Sequence, residues 1–203
     1  KMPIKPVLNS RSERLVLQIP FREGTIYAYA WVLQIGHAKL YLLDTQHAQN
    51  SQHQKDLTTS LYGGDTRTRI AQELLLGIGG TRLLEALNIS VDVHHMNEGH
   101  SAFLVLELWA REMQNGYTPQ EAWARVQTRC VFTTHTPVPA GHDRFYWDLV
   151  NEYLGPYRDQ LGLTPGMFMN TGREDEHDLD SPLSMTILAL KGSRKANGVS
   201  KLH

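Results

Sequence analysis

Two short apolar runs, separated by a long helical stretch, constrain the fold of this chain more than any other feature. Val91–Met96 (VDVHHM) and Cys130–Thr134 (CVFTT) have the length and side-chain types of strands. Between them lie two helical patterns. One runs from about His100 to Gln114 and stops at Gly116; the other starts with Thr118 as cap and Pro119 in the first turn. A strand, a helical crossover and a second strand form a βαβ unit and imply a parallel pair. The expected fold class is therefore α/β, with a Rossmann-like, mostly parallel sheet and flanking helices.

The rest of the chain frames that unit. Residues 1–45 form a β-rich segment, in which Arg14–Pro20, Thr25–Ile35 and Lys39–Leu43 carry β-branched, aromatic and aliphatic residues in partial alternation. Arg22-Glu23-Gly24 and Gly36-His37 are the expected turns. Residues 46–203 form an α/β segment. In it, Thr66–Leu87 has helical spacing interrupted at Ile78-Gly79-Gly80, which predicts close backbone packing or a helix break. A helix is expected over Phe145–Tyr153, an exposed loop over Thr171–Ser181 and a last helix over Pro182–Val199.

Both strands end in polar residues. Val91–His100 continues into Asn97, Glu98 and His100, and Val131–Pro139 into His135 and Thr136. In a parallel sheet these positions line the crevice at the strands' carboxyl ends, where ligands bind. Carboxylate, amide and imidazole groups there suit a polyhydroxylated ligand, because between them they donate and accept. Asn97 can equally act as a helix cap. Histidines are numerous, ten in all, but no HExxH or thiolate-rich zinc pattern occurs. His94 and His95 are adjacent on a strand and point to opposite faces, so no metal site is expected from them. Cys130 opens a core strand and behaves there as a small hydrophobe. The Gly77–Gly80 run lies inside a helical pattern with no GK[ST] after it, so it is not a phosphate loop.

Charge and cysteine content narrow the function classes. A formal net charge of -1 offers no nucleic-acid footprint. A single cysteine points to a reducing cytosol. No apolar run approaches the ~20 residues that span a bilayer, so no membrane partner is expected. Neither Lys1 nor His203 reads as a natural boundary, which suggests a piece of a longer protein.

Several strings carry a resemblance. Tyr41–Thr45 (YLLDT), Leu61–Asp65 (LYGGD), Arg69–Gly80 (RIAQELLLGIGG), His95–Phe103 (HMNEGHSAF), Val131–Phe145 (VFTTHTPVPAGHDRF) and Asn197–His203 (NGVSKLH) resemble the bacterial and archaeal branch of the α-glucan (glycogen, starch and maltodextrin) phosphorylases. The likeness covers nearly the whole chain, as part of the N-terminal half of that family. It implies the N-terminal domain of a two-domain GT-B glycosyltransferase, with the active site in the cleft between the domains. It implies reversible phosphorolysis of α-1,4-glucans to glucose 1-phosphate, with pyridoxal phosphate held by a lysine of a C-terminal domain absent from this chain. Glucan, phosphate and glucose 1-phosphate are the implied partners, and a homodimer is compatible with it.

By the same resemblance, His135 is the catalytic position. It contacts the sugar's 6-hydroxyl, and its main-chain carbonyl faces the charge developing at the anomeric carbon. Thr136, Asn97, Glu98 and His100 line the sugar pocket, Asp65 belongs to a gating loop, and Ala196 stands at a wall position usually filled by valine. Lys191, Lys195 and Lys201 do not match the cofactor lysine, so the chain alone is expected to bind no pyridoxal phosphate and to be inactive. Two other readings remain open: a related transferase of the glycogen-synthase kind, and a non-catalytic glucan-binding module. The latter needs an aromatic platform; Trp109 and Trp123 sit at core-like positions, whereas Tyr146-Trp147 could be exposed.

Overall fold

The structure is a computed structural model that describes residues 3–22, 24–60, 64–135 and 142–200. Strands β1 (Ile4–Pro6), β2 (Val16–Phe21), β3 (Gly24–Ile35) and β4 (Ala38–Asp44) form an antiparallel sheet. β1 and β2 pair with successive stretches of β3, and β4 pairs with its second half. Alternation along β3 buries Ile26, Ala28 and Ala30 and leaves Tyr27, Tyr29 and Trp31 half-buried on the other face. The Arg14 guanidinium lies over the Tyr29 ring, 3.7 Å from its centroid.

Helix α1 (Gln52–Asp56), which the hydrophobic pattern does not mark, is held by a capping box between Ser51 and Gln54. Helix α2 (Thr66–Leu74), a π-helical turn (Leu75–Gly79) and α3 (Gly80–Ala86) then follow without a break. Of the Gly79-Gly80 pair, close packing holds at Gly79 but not at Gly80, where a Cβ would meet nothing within 4 Å; Gly77 packs closely as well. A Cβ on Gly77 would stand 2.7 Å from the Leu104 backbone nitrogen, and one on Gly79 would stand 2.9 Å from Ile19 Cδ1. Gly77 O accepts from the Gly80 N–H and also from Thr81 Oγ1, at 2.8 Å.

The βαβ unit is present. Strands β5 (His94–Asn97) and β6 (Cys130–Thr134) are parallel and are joined through α4 (Phe103–Gln114) and α5 (Pro119–Arg129). Residues Phe103–Ala110 of α4 are all buried, which makes this helix the centre of the core. Its buried Glu107 is paired, accepting from Arg82 Nε at 2.8 Å and from the Tyr157 hydroxyl at 2.9 Å. After β7 (Arg144–Phe145) come α6 (Trp147–Gln160), α7 (Pro165–Asn170), β8 (Leu183–Ser184), α8 (Met185–Lys191) and β9 (Lys195–Gly198).

Four expectations are corrected. The parallel sheet is confined to three strands in the order β5-β6-β9, while the larger described sheet is antiparallel. The last helix ends at Lys191 rather than Val199: Gly192 and Ser193 favour helix poorly, and Arg194 N donates to Cys130 O at 3.0 Å, so the chain joins β6 as a strand. The helix expected over Phe145–Tyr153 begins only at Trp147, because Phe145 pairs with Leu183. Asn97 caps no helix; it closes β5, and a 3-10 turn (Gly99–Ser101) intervenes before α4. Among the described residues no helix is long and apolar enough to cross a membrane.

Candidate active site

The two polar strand ends meet. β5 and β6 are neighbours with Asn97 opposite Thr133, and the pairing runs one step further, with Glu98 N donating to Thr133 O at 2.9 Å. Glu98 is buried, and its carboxylate spans the gap: Oε2 accepts from His135 N at 2.7 Å and Oε1 from Thr134 Oγ1 at 3.2 Å. Its backbone lies at φ 68°, ψ 171°, a conformation that is essentially glycine's and costs a larger residue about 1–3 kcal/mol. His135 itself is exposed. Thr136 lies outside the described residues.

A polar row crosses the same sheet at this end. His95 Nε2 lies 2.7 Å from Thr133 Oγ1, and Thr133 Oγ1 donates to Asn197 Oδ1 at 2.9 Å. Since the hydroxyl's proton goes to Asn197, the imidazole is the donor and carries its hydrogen on Nε2. Asn97 belongs to this row by register and is exposed. Ala196 stands opposite Phe132, one residue off the row, in the exposed strand β9.

His100 faces a different group. Its Nδ1 lies 3.3 Å from Glu73 Oε1 and 3.5 Å from Asp143 Oδ2, and Arg69 Nη2 reaches Asp143 Oδ2 at 2.6 Å and Glu73 Oε1 at 3.1 Å. Burial raises the Glu73 carboxyl to about 8. Contacts with Asp143 and Glu73 raise His100 to about 9. Burial alone would push Asp143 up as well, but hydrogen bonds from His100 and Arg69 outweigh it and hold the carboxyl well below the usual range. Burial thus favours the neutral form of Glu73, while the His100 cation and the Asp143 anion favour each other. Glu73, His100 and Asp143 are, among the described residues, the group whose ligand atoms lie within 4.8 Å of one another. The Arg69 guanidinium already supplies the positive charge among them, so the arrangement does not fit a metal ion. A cavity of about 700 Å³ opens beside it, lined in part by Arg69, Glu73, His100, Leu76 and Leu104.

The remaining candidates lie apart. Asp65 caps α2, accepting from Thr68 N at 2.9 Å, and that bond holds its carboxyl below the ordinary value. No described hydrogen bond or ion pair joins it to Glu98 or His135. His94, His95 and His100 all border that same cavity, but each has its own contacts. His94 is buried and pushed down to about 4 by that burial, with Arg129 and Arg111 adding to it. His95 belongs to the Thr133 row, and His142 Nδ1 lies 2.7 Å from Thr186 Oγ1. Burial pushes the Cys130 thiol up to about 12, as suits a core residue. Trp109 and Trp123 pack edge to face at 5.1 Å, whereas Tyr146 is 65% exposed.

Sequence reasoning missed Glu73, Arg69, Asp143, His95 and Asn197 as members of polar networks. Glu73 had one available signal, a charged residue directly before the apolar run Leu74–Leu76. Asp143 had none, because its partners are far away in the chain.

No protein-family model matches the chain. It is 41% identical over all 203 residues to the maltodextrin phosphorylase of Thermococcus litoralis, of which it covers 24%. It is 35% identical over 216 aligned positions to the glycogen phosphorylase of Mycobacterium tuberculosis, covering 25% of it. It is 30% identical over 202 to the glycogen phosphorylase of Aquifex aeolicus, covering 29%. The whole chain therefore matches a segment of archaeal and bacterial maltodextrin and glycogen phosphorylases, and spans about a quarter of their length.

Proposed function

We propose, from this relatedness to the maltodextrin and glycogen phosphorylases, that the chain is a segment of an α-glucan phosphorylase and forms the sugar side of its active site. In the proposed reaction inorganic phosphate displaces the glucan at the anomeric carbon of a terminal glucose. The bond from that carbon to the 4-oxygen of the next sugar breaks, a bond to a phosphate oxygen forms, and the proton from phosphate ends on the freed 4-hydroxyl. The products are glucose 1-phosphate and a glucan one unit shorter.

The observation that carries this reading beyond similarity is the meeting of the Glu98 and His135 loops at the carboxyl ends of adjacent parallel strands. His135 is the proposed catalytic residue, its imidazole binding a sugar hydroxyl and its carbonyl facing the positive charge that develops at the anomeric carbon. Asn97, His100 and Thr136 are proposed sugar contacts, Asp65 part of a gate and Ala196 part of the wall. The GT-B arrangement, with this chain in the N-terminal domain, belongs to the same proposal.

The family resemblance also implies pyridoxal phosphate, which supplies a proton relay through its own phosphate. The residues present do not fit it: a lysine would have to carry it, and the cavity beside Glu73 and His100 is lined by none among the described residues. No step assigned to this chain runs through that group, which is proposed to be held elsewhere in the full-length protein. On this reading the isolated chain has no activity.

The test is release of glucose 1-phosphate from maltodextrin and inorganic phosphate by the full-length protein supplied with pyridoxal phosphate. Turnover that requires a nucleotide-sugar instead would move the assignment to a synthase-like transferase. Glucan binding with no turnover would leave only a binding module.

A further inference from the structure

We infer that Glu98 is a positioning residue for the candidate site: its carboxylate holds the His135 peptide in place and is not a sugar contact. Three observations converge. Both carboxylate oxygens are engaged within the protein, Oε2 by His135 N at 2.7 Å and Oε1 by Thr134 Oγ1 at 3.2 Å. The residue is 6% exposed, so the carboxylate is turned inward rather than to a ligand. Its backbone is held at φ 68°, where a side chain is disfavoured, although a glycine there would fit without strain. A strained glutamate in place of a relaxed glycine makes physical sense if the carboxylate has a task. The contact in hand is the bridge from the end of β5 to the peptide that follows β6.

The bond is directional. A backbone N–H donating to a carboxylate at 2.7 Å is charge-assisted and short, and it fixes the plane of the peptide linking Thr134 to His135. That plane sets where the chain leaves the sheet and therefore where the imidazole and the carbonyl of His135 stand. The effect on turnover rests on the phosphorolytic reading above; the positioning does not.

Hydrogen exchange on the 15N-labelled chain tests the positioning directly. Glu98→Ala should speed exchange of the His135 amide by about tenfold or more, while the Met96 and Phe132 amides inside the parallel pair stay as they are. Glu98→Gly should do the same without the backbone strain, so a folding defect in the alanine variant would not decide the matter. Glu98→Gln should restore protection, its amide oxygen accepting from His135 N while its NH2 donates to Thr134 Oγ1. Unchanged exchange at His135 in both the alanine and glycine variants overturns the inference. In the full-length protein, Glu98→Gly should lower kcat by about tenfold with KM for maltodextrin changed less than about twofold, and Glu98→Gln should recover most of the loss. A raised KM with kcat intact would make Glu98 a substrate contact and overturn the inference. A wild-type protein that releases no glucose 1-phosphate would sink the phosphorolytic reading, and the exchange result would then decide the positioning alone.

Discussion

Arg69 donates to Asp143 at 2.6 Å and thereby ties α2 to the segment that precedes β7. The same guanidinium nitrogen reaches Glu73 one helical turn on, and His100 closes the cluster from the loop after β5. A site built this way responds to pH in a definite direction. His100 is raised from 6.5 to about 9, so its stabilisation is complete below the lower value and is lost as pH rises through the upper one. Glu73 is raised from 4.5 to about 8 and acts in the same sense, because the neutral carboxyl suits its burial and ionisation does not. The Asp143 carboxyl is depressed and acts only in acid. The urea midpoint of the chain should therefore fall between neutral pH and about 9, and Glu73→Gln should flatten the earlier part of that fall. A midpoint independent of pH over this range would show that the cluster does not hold its protons as described.

The helical run from Thr66 to Ala86 yields a contrast between two glycines. Gly80 has ordinary helical angles, and a Cβ there would meet nothing within 4 Å, so Gly80→Ala should stabilise the chain by about 0.5–1 kcal/mol through backbone entropy. Gly77 allows the π-turn to touch α4, and a Cβ would stand 2.7 Å from Leu104 N and 2.9 Å from Phe103 C. Backbone cannot yield as a side-chain tip does, so Gly77→Ala should destabilise by about 1–3 kcal/mol. Equilibrium denaturation of both variants reads the difference, and equal effects would contradict the packing.

How far the residues could be read without coordinates follows from the range of the forces involved. β6 was legible to its ends, Cys130 and Thr134, since a buried strand between a helix and a polar loop carries its own boundary signals. The close packing of Gly77 and Gly79 was legible only as a kind, because a glycine inside an apolar helix has few other reasons to occur, and Gly80 carries the same signal with no neighbour within 4 Å. The identity of the neighbours of Gly77 and Gly79 was not legible, because Ile19 and Leu104 come from elements distant in sequence. Asn97 was open to two readings because an amide before a helix resembles a cap; the positive φ of Glu98 and the 3-10 turn after it separate strand from helix here. Asp143 looked like part of a loop, since its role comes from Arg69.

His135 follows β6 at the point where the two polar loops meet. If it acts on the transition state as proposed, His135→Ala in the full-length protein should lower kcat/KM by about 10²-fold or more. Its side chain is exposed, so the loss should come without a change in the thermal midpoint beyond about 1–2 °C. Normal turnover in this variant would remove the residue from the catalytic role.

Thr133 joins three strands by one hydroxyl, which takes a hydrogen from His95 and gives one to Asn197. Valine has the same shape and keeps the buried methyl, so Thr133→Val isolates the hydroxyl. The chain loses two hydrogen bonds, but His95 and Asn197 are exposed and can turn to water, which limits the cost to about 1–2 kcal/mol. The imidazole loses the acceptor that fixes its tautomer, so its proton should distribute over both nitrogens. Nitrogen chemical shifts of the His95 ring distinguish these states: in the parent chain Nε2 should carry the hydrogen, and in Thr133→Val the two nitrogens should move toward each other. A His95 ring protonated on Nδ1 in the parent chain would reverse the direction of the row and contradict the arrangement across β5, β6 and β9.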